Sequence, residues 1–252
     1  MKRIVLSFSL CFLMFVLGQK VFADIKNETS TVYAGMDMEG RQRWEAETVI
    51  RQKEPGTYIL SEKGKGVYSS FKGPVSWEAE LEFKETKSSI VPLNLIKHVF
   101  DEKGNKIRLE KQDYDIAKRS VVCLHEEYPG KISRKKVFKL KKDAVNKLLL
   151  SLYVQKMLEN GKKFREVQMV SEEPGLYNID LKVVAEEEIV INNKKKRAYK
   201  VEIDPRLGAL DIVKVFFPKA YAWHSSESPF EWLGFEGLEG DIRSEKIKVT
   251  IK

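Results

Sequence analysis

Alternation of apolar and acidic residues at every second position is the feature that most narrows what this chain can fold into. In "SWEAELEF" Trp77, Ala79, Leu81 and Phe83 fall on one side, and Glu78, Glu80 and Glu82 on the other. "RWEAETVI" repeats the arrangement with Trp44, Ala46, Thr48 and Ile50. Two is the period of a β-strand, so each stretch reads as a half-buried strand with one wet face. The shared W-E-A-E is a faint echo and does not establish a repeat, because alternating glutamate is a general way to solubilise an outer face. Further strands are expected at 56–61, 65–70, 91–100, 106–112, 119–126, 132–140, 163–170, 176–184, 186–191, 197–203, 209–217 and 245–251. Turn residues punctuate them at Glu54-Pro55-Gly56, Lys103-Gly104-Asn105, Tyr128-Pro129-Gly130, Glu173-Pro174-Gly175, Asn192-Asn193 and Asp204-Pro205. Regular punctuation of this kind predicts a meandering antiparallel sheet.

One segment departs from the period of two. "KKDAVNKLLLSLYVQKMLENGKK" has apolar residues at 145, 148, 149, 152, 153 and 157, the spacing of a helix. Asp143 is placed to cap its start, and Asn160-Gly161 to end it in a left-handed turn. Leu150, Val154 and Leu158 widen the stripe onto a second flank, so the helix is expected to be buried on more than one side, with Leu149 and Leu152 both covered. A helix set midway in a strand series predicts a mainly β fold. The expected form is a strongly curved antiparallel sheet, or an open or closed β-barrel, wrapped around one amphipathic helix at about 143–160.

The N-terminus, "MKRIVLSFSLCFLMFVLGQKVFAD", has a basic start, a short apolar run and a small residue at Ala23. That is the three-part pattern of a secretory signal peptide, with cleavage expected after Ala23 and a β-rich domain over 24–252. The apolar run is shorter than a spanning helix needs, and Cys11 follows Leu10 too early in the run to be a lipid attachment site. The mature chain is therefore expected outside the cytoplasm, periplasmic or secreted, and not membrane-spanning. Cys123 is the one cysteine it keeps, so neither an internal disulfide nor a thiolate zinc site is available. The formal charge of +8 falls to +5 once Lys2, Arg3 and Lys20 leave. This mild excess suits anionic envelope surfaces, and no nucleic-acid partner is expected, since an exported chain seldom meets one.

Order of elements carries a resemblance. The helix "NKLLLSLYVQKMLENGKKF", the pair "LKVVAEEEIVINNKKKRAYKVEI", the aromatic stretch "AWHSSESPFEWLGFEGLEG" and a last strand "KIKVTIK" follow one another. This series resembles an uncharacterised bacterial family of exported β-rich proteins of unknown function. The resemblance spans about residues 40–252 and is strongest after 142. "INNKKKRAY" departs from the glycine-containing turn of that pattern. The resemblance implies a β-rich exported fold and brings no catalytic residue with it. More loosely, the architecture is similar to the half-barrels of periplasmic lipoprotein carriers, a likeness of fold and not of function.

Chemistry is sparse. His224 beside Ser225 and Ser226 suggests a hydrolase, but neighbours on a strand point to opposite faces, and no G-x-S-x-G elbow occurs. The stretch is read as an aromatic cover for one end of the sheet, with His224–Ser228 as a polar rim in solvent. His98, His125 and His224 show no metal-ligand spacing; "LHEEY" around His125 reads as solvated, and no metal or cofactor is expected. Asp113-Tyr114-Asp115 lacks the pattern of a calcium loop, and "EKGKG" that of a phosphate loop.

Three functions stay open. The first is a non-enzymatic protein that binds an apolar or lipid-like ligand through Trp223, Phe230, Trp232, Phe235 and Tyr153. The second is an envelope-binding or assembly factor that uses a basic edge. Residues 131–142, "KISRKKVFKLKK", carry seven cations and no acid, with Arg134, Lys135, Lys136 and Lys139 as the anionic-surface candidates, and 194–197 add four more. The third is a hydrolase that uses His224.

Overall fold

The computed structural model describes residues 28–130, 132–171, 174–191, 193–206, 218–240 and 244–252. Among them the chain forms fifteen strands. The first eight are β1 (Thr29–Met36), β2 (Gln42–Glu54), β3 (Thr57–Val67), β4 (Pro74–Glu85), β5 (Ile90–Asp101), β6 (Lys106–Asp115), β7 (Ser120–Glu127) and β8 (Ile132–Lys139). After them come β9 (Ala144–Asn146), a 3-10 turn (Lys147–Leu149) and the helix α1 (Leu150–Glu159). The last six are β10 (Phe164–Val170), β11 (Leu176–Ile191), β12 (Lys194–Arg206), β13 (Ala220–Ser225), β14 (Trp232–Leu238) and β15 (Lys246–Ile251).

All fifteen belong to one sheet, in the order β8-β7-β6-β5-β4-β3-β2-β1-β15-β14-β13-β12-β11-β10-β9. Two antiparallel meanders are joined where the first strand pairs with the last, Tyr33 opposite Ile251. The short β9 alone runs parallel to its neighbour, Val145 opposite Met169 of β10. This order forces the curvature. Laid flat, fifteen strands would separate β8 from β9 by about 65 Å. Yet only residues 140–143 connect them, a span of roughly 17 Å at most. The sheet must therefore curl until its ends approach.

Among the described residues the ends do not pair through their backbones. Side chains bridge them. Asn146 Nδ2 donates to Gln112 Oε1 at 2.9 Å, and Gln112 Nε2 donates to the Ser171 carbonyl at 3.2 Å. Arg165 Nη1 donates to the Ser88 carbonyl at 2.8 Å. Tyr114, Val121 and Cys123 from one side meet Val170 from the other. The result is an open, β-barrel-like sheet wrapped around α1, as the strand-helix-strand series predicts.

The alternation read in β4 holds residue by residue. Val75, Trp77, Ala79, Leu81 and Phe83 are buried, while Glu78 and Glu80 are exposed. The 3-10 turn and α1 fill the interior: Leu149, Tyr153, Val154 and Met157 are each 0% exposed and pack on Tyr58, Leu60, Leu81, Phe83, Ile179, Leu181 and Val201. The helix is shorter than expected. Ala144–Asn146 pairs with β10 instead, so Asp143 is no helix cap. Asn146 caps the 3-10 turn, its side chain accepting from the Leu148 N–H at 2.9 Å, and α1 follows at Leu150 with no side-chain cap of its own. The far end matches the sequence. Gly161 has φ +67°, its N–H meets the Leu158 carbonyl at 2.8 Å, and Lys162 N–H meets that of Met157 at 3.1 Å.

Other differences have local causes. The strands expected at 56–61 and 65–70 are one strand, β3. Gly64, in the gap between the two expected strands, is a seat for a tryptophan: a Cβ there would lie 2.2 Å from Trp77 Cζ2. Trp44 covers Gly35 in the same way. The strands at 176–184 and 186–191 are likewise one, β11, with a register shift between Val183 and Ala185. Asp204-Pro205 lies inside β12, where Pro205 faces Ile179. The strand expected at 209–217 and the signal segment 1–23 lie outside the described residues.

Candidate functional site

The stretch around His224 is a hairpin of the sheet and not a cover over it. Ala222 of β13 faces Phe235 of β14, and His224 faces Trp232. The period of two puts His224 on the same inner face as buried Ala222. It is 0% exposed, so the expected solvent rim is corrected at this residue. Its Nδ1–H donates to the Phe230 carbonyl at 2.9 Å, and its Nε2 is buried without a partner among the described residues. Loss of hydration pushes its pKa down to about 4, against the opposing effect of the Phe230 carbonyl. A hydrolytic base needs a nucleophile against it. Ser225 Oγ instead accepts from the Glu227 N–H at 3.2 Å, and the Ser226 N–H donates to the Arg197 carbonyl at 3.1 Å.

The five aromatic candidates do not line one space. Trp223 points outward, its Nε1 donating to Glu187 Oε1 at 2.6 Å, with Lys200 Nζ 5.3 Å from the ring. Phe230 stacks on Tyr199 at 6.4 Å. Trp232 meets the edge of Tyr33 at 6.2 Å, and Phe235 packs between the main core and a second cluster around Trp44 and Trp77. Tyr153 lies deep in the core and donates to Asp143 Oδ2 at 3.0 Å. An open groove of about 810 Å³ at the rim mixes charges of both signs, among them Arg43, Lys65, Asp101 and Glu102.

Part of the inner wall across β5–β8 is polar. Lys97, Glu110, His125 and Arg134 lie directly opposite one another on four successive strands. Arg108 and Glu127 form a second row, and Gln112, Cys123 and Lys136 a third. His125 is 0% exposed, which corrects the solvated reading of "LHEEY". Its Nε2 is 3.0 Å from Glu127 Oε1. That hydrogen bond, with the nearby Arg108 guanidinium, holds the Glu127 carboxyl below the usual carboxylate range. Glu126 faces the other way and accepts from the Tyr128 hydroxyl at 2.5 Å. Burial pushes the Cys123 thiol up to about 11, leaving it protonated and unreactive at neutral pH. Among the described residues no three His, Cys, Asp or Glu side chains come together to hold a metal ion.

This wall ends at β8, the strand that carries the basic candidates. Among the described residues β8 is the terminal strand of the sheet, and it pairs with β7 in unbroken register, from Ser120 opposite Lys139 to Glu127 opposite Ile132. Seven of its eight residues are exposed, and Phe138 is half-buried. The four cations divide between its faces. Arg134 and Lys136 share the inner face with His125 and Cys123, and Lys136 Nζ donates to the Pro174 carbonyl at 3.1 Å. Lys135 and Lys139 share the outer face with Val137, which is 62% exposed. The second basic run differs. Lys195 pairs with Glu188 at 2.6 Å and Arg197 with Glu186 at 2.9 Å, so the glutamates of β11 balance it.

Fold and site together define an open β-barrel-like protein with one filled interior and one basic edge. It is similar to a solved structure, a β-barrel-like protein of the domain of unknown function DUF1849 from Brucella abortus. The two share 7% sequence identity with a TM-score of 0.52, over 88% of this chain and 94% of that one. The likeness is one of fold, and it supports the resemblance to a β-rich family of unknown function. No family model matches the sequence, and no curated protein does.

Proposed function

We propose that this protein is a non-enzymatic envelope protein, exported by its N-terminal segment, that binds anionic partners through β8. The observation that carries the reading is the edge itself: an exposed terminal strand with Arg134, Lys135, Lys136 and Lys139 and no acidic residue among its eight. The reading is preferred to an enclosed apolar ligand because α1 occupies the barrel interior, with Leu149, Tyr153, Val154 and Met157 fully covered. It is preferred to hydrolysis because, among the described residues, the His224 ring bonds only to the Phe230 carbonyl and its Nε2 meets no hydroxyl.

Binding of the purified protein to phosphatidylglycerol vesicles and to polyglutamate tests the proposal. Both probes are expected to bind at low salt and to release as salt rises, since exposed charges are screened beyond about 10 Å at 0.1 M. Lys135→Glu with Lys139→Glu should weaken both without lowering the melting temperature. Wild type that ignores both probes at low salt sinks the reading. Export rests on the pattern of residues 1–23, and N-terminal sequencing of protein from the envelope fraction should begin at or near Asp24.

A further inference from the structure

We infer that β8 accepts an extended acidic segment of a partner protein as an added strand. This rests on the basic-edge reading and specifies the form of the partner. A terminal strand leaves about half of its N–H and C=O groups directed away from its one neighbour. β8 offers them over eight residues, with no proline and no register shift. The other end of the sheet offers no such template. β9 is three residues long, and its Val145 and Asn146 are buried.

The distribution of charge selects the occupant. Arg134, Lys135 and Lys136 are consecutive, so they present cations on both faces of the strand. An added strand places its side chains directly opposite these, about 5 Å away. Its complement must therefore be acidic at three successive positions and apolar opposite Val137. A flat anionic bilayer would meet the outer row of Lys135 and Lys139, while Arg134 and Lys136 point to the other face. A second copy of β8 would set cations against cations, which is unfavourable directly across a sheet. A disordered acidic segment fits best, because it carries acids in succession and has an unpaired backbone.

The test uses the purified protein and a labelled peptide containing Glu-Val-Val-Glu-Glu-Glu, written in the antiparallel sense. A second peptide has the same sequence with alternate backbone nitrogens methylated, which keeps the charge and removes the donors. The parent peptide should bind and should slow hydrogen exchange at the β8 amides not bonded to β7. The methylated peptide should bind at least about tenfold more weakly, the equivalent of roughly 1.4 kcal/mol. Equal binding of the two peptides overturns strand addition and leaves the basic edge as a purely electrostatic site. Vesicle binding without peptide binding overturns it in favour of a membrane partner. Failure of peptide, vesicles and polyglutamate alike removes both this inference and the reading beneath it.

Discussion

His224 is uncharged at neutral pH because its ring is wholly buried, with a pKa pushed down to about 4. The unfolded chain would titrate the same group near 6.5. Between those values the unfolded state binds the extra proton. Stability contributed by the neutral ring is therefore present above about pH 6.5 and is lost as pH falls toward 4. The expected loss is roughly 3 kcal/mol. Urea unfolding of wild type and His224→Gln at pH 7 and pH 4 checks it: the difference between the two proteins should change with pH in that direction. A constant difference would show that the imidazole is not buried neutral. Burial also governs the tryptophans. Trp44 and Trp77 each lie over a glycine, and each donates its Nε1–H to a buried carboxylate, Glu239 at 2.7 Å and Glu62 at 2.8 Å. The two W-E-A-E stretches thus deliver equivalent side chains to one cluster, with ring centroids 6.0 Å apart.

At the scale of elements, α1 is held by its neighbours more than by its own capping. The fully buried line runs from Leu149 of the 3-10 turn through Tyr153, Val154 and Met157 of α1, and Leu152, expected to be covered, lies at the margin, half-buried. Leu149→Ala is expected to cost about 2–5 kcal/mol, since the sheet cannot collapse into the space left behind. Leu152→Ala should cost clearly less. Chemical denaturation of both variants measures the ordering, and equal losses would place the helix differently from the packing described. Spacing alone revealed the helix and its glycine terminus. It did not reveal that Ala144–Asn146 is a strand, because three residues hold no period and only β10 alongside makes them one.

For the molecule as a whole, the open sheet leaves one long edge to be defended. Lysines on β8 are suited to that, since like charges discourage edge-to-edge pairing. Replacing both Lys135 and Lys139 with Val would join Val137 in an outward apolar row of three. This variant is expected to show a higher apparent mass than the wild type in light scattering at equal concentration, with the difference growing as concentration rises. An unchanged mass across the range would mean that the outward lysines do not guard the edge. The same charges that exclude a second copy favour an acidic strand, so protection and recognition draw on one feature.

What the sequence determined by itself was local. A period of two marked β4 and β2, helical spacing marked α1, and Gly56, Gly104 and Gly161 marked positions where φ is positive. Each is legible because backbone geometry repeats over a few residues. The inner wall was not legible. In β6 both faces alternate plausibly, Ile107 and Leu109 against Arg108, Glu110 and Gln112, and the polar set turned inward. His125 and His224 were hidden in the same way. Periodicity separates a strand into two faces, but only the strands packed opposite decide which face loses its water. The choice between one strand and two at Gly64 depended on Trp77, and the curl of the sheet on the four residues that tie β8 to β9. Those contacts join residues far apart in the chain, and tertiary structure alone brings them together.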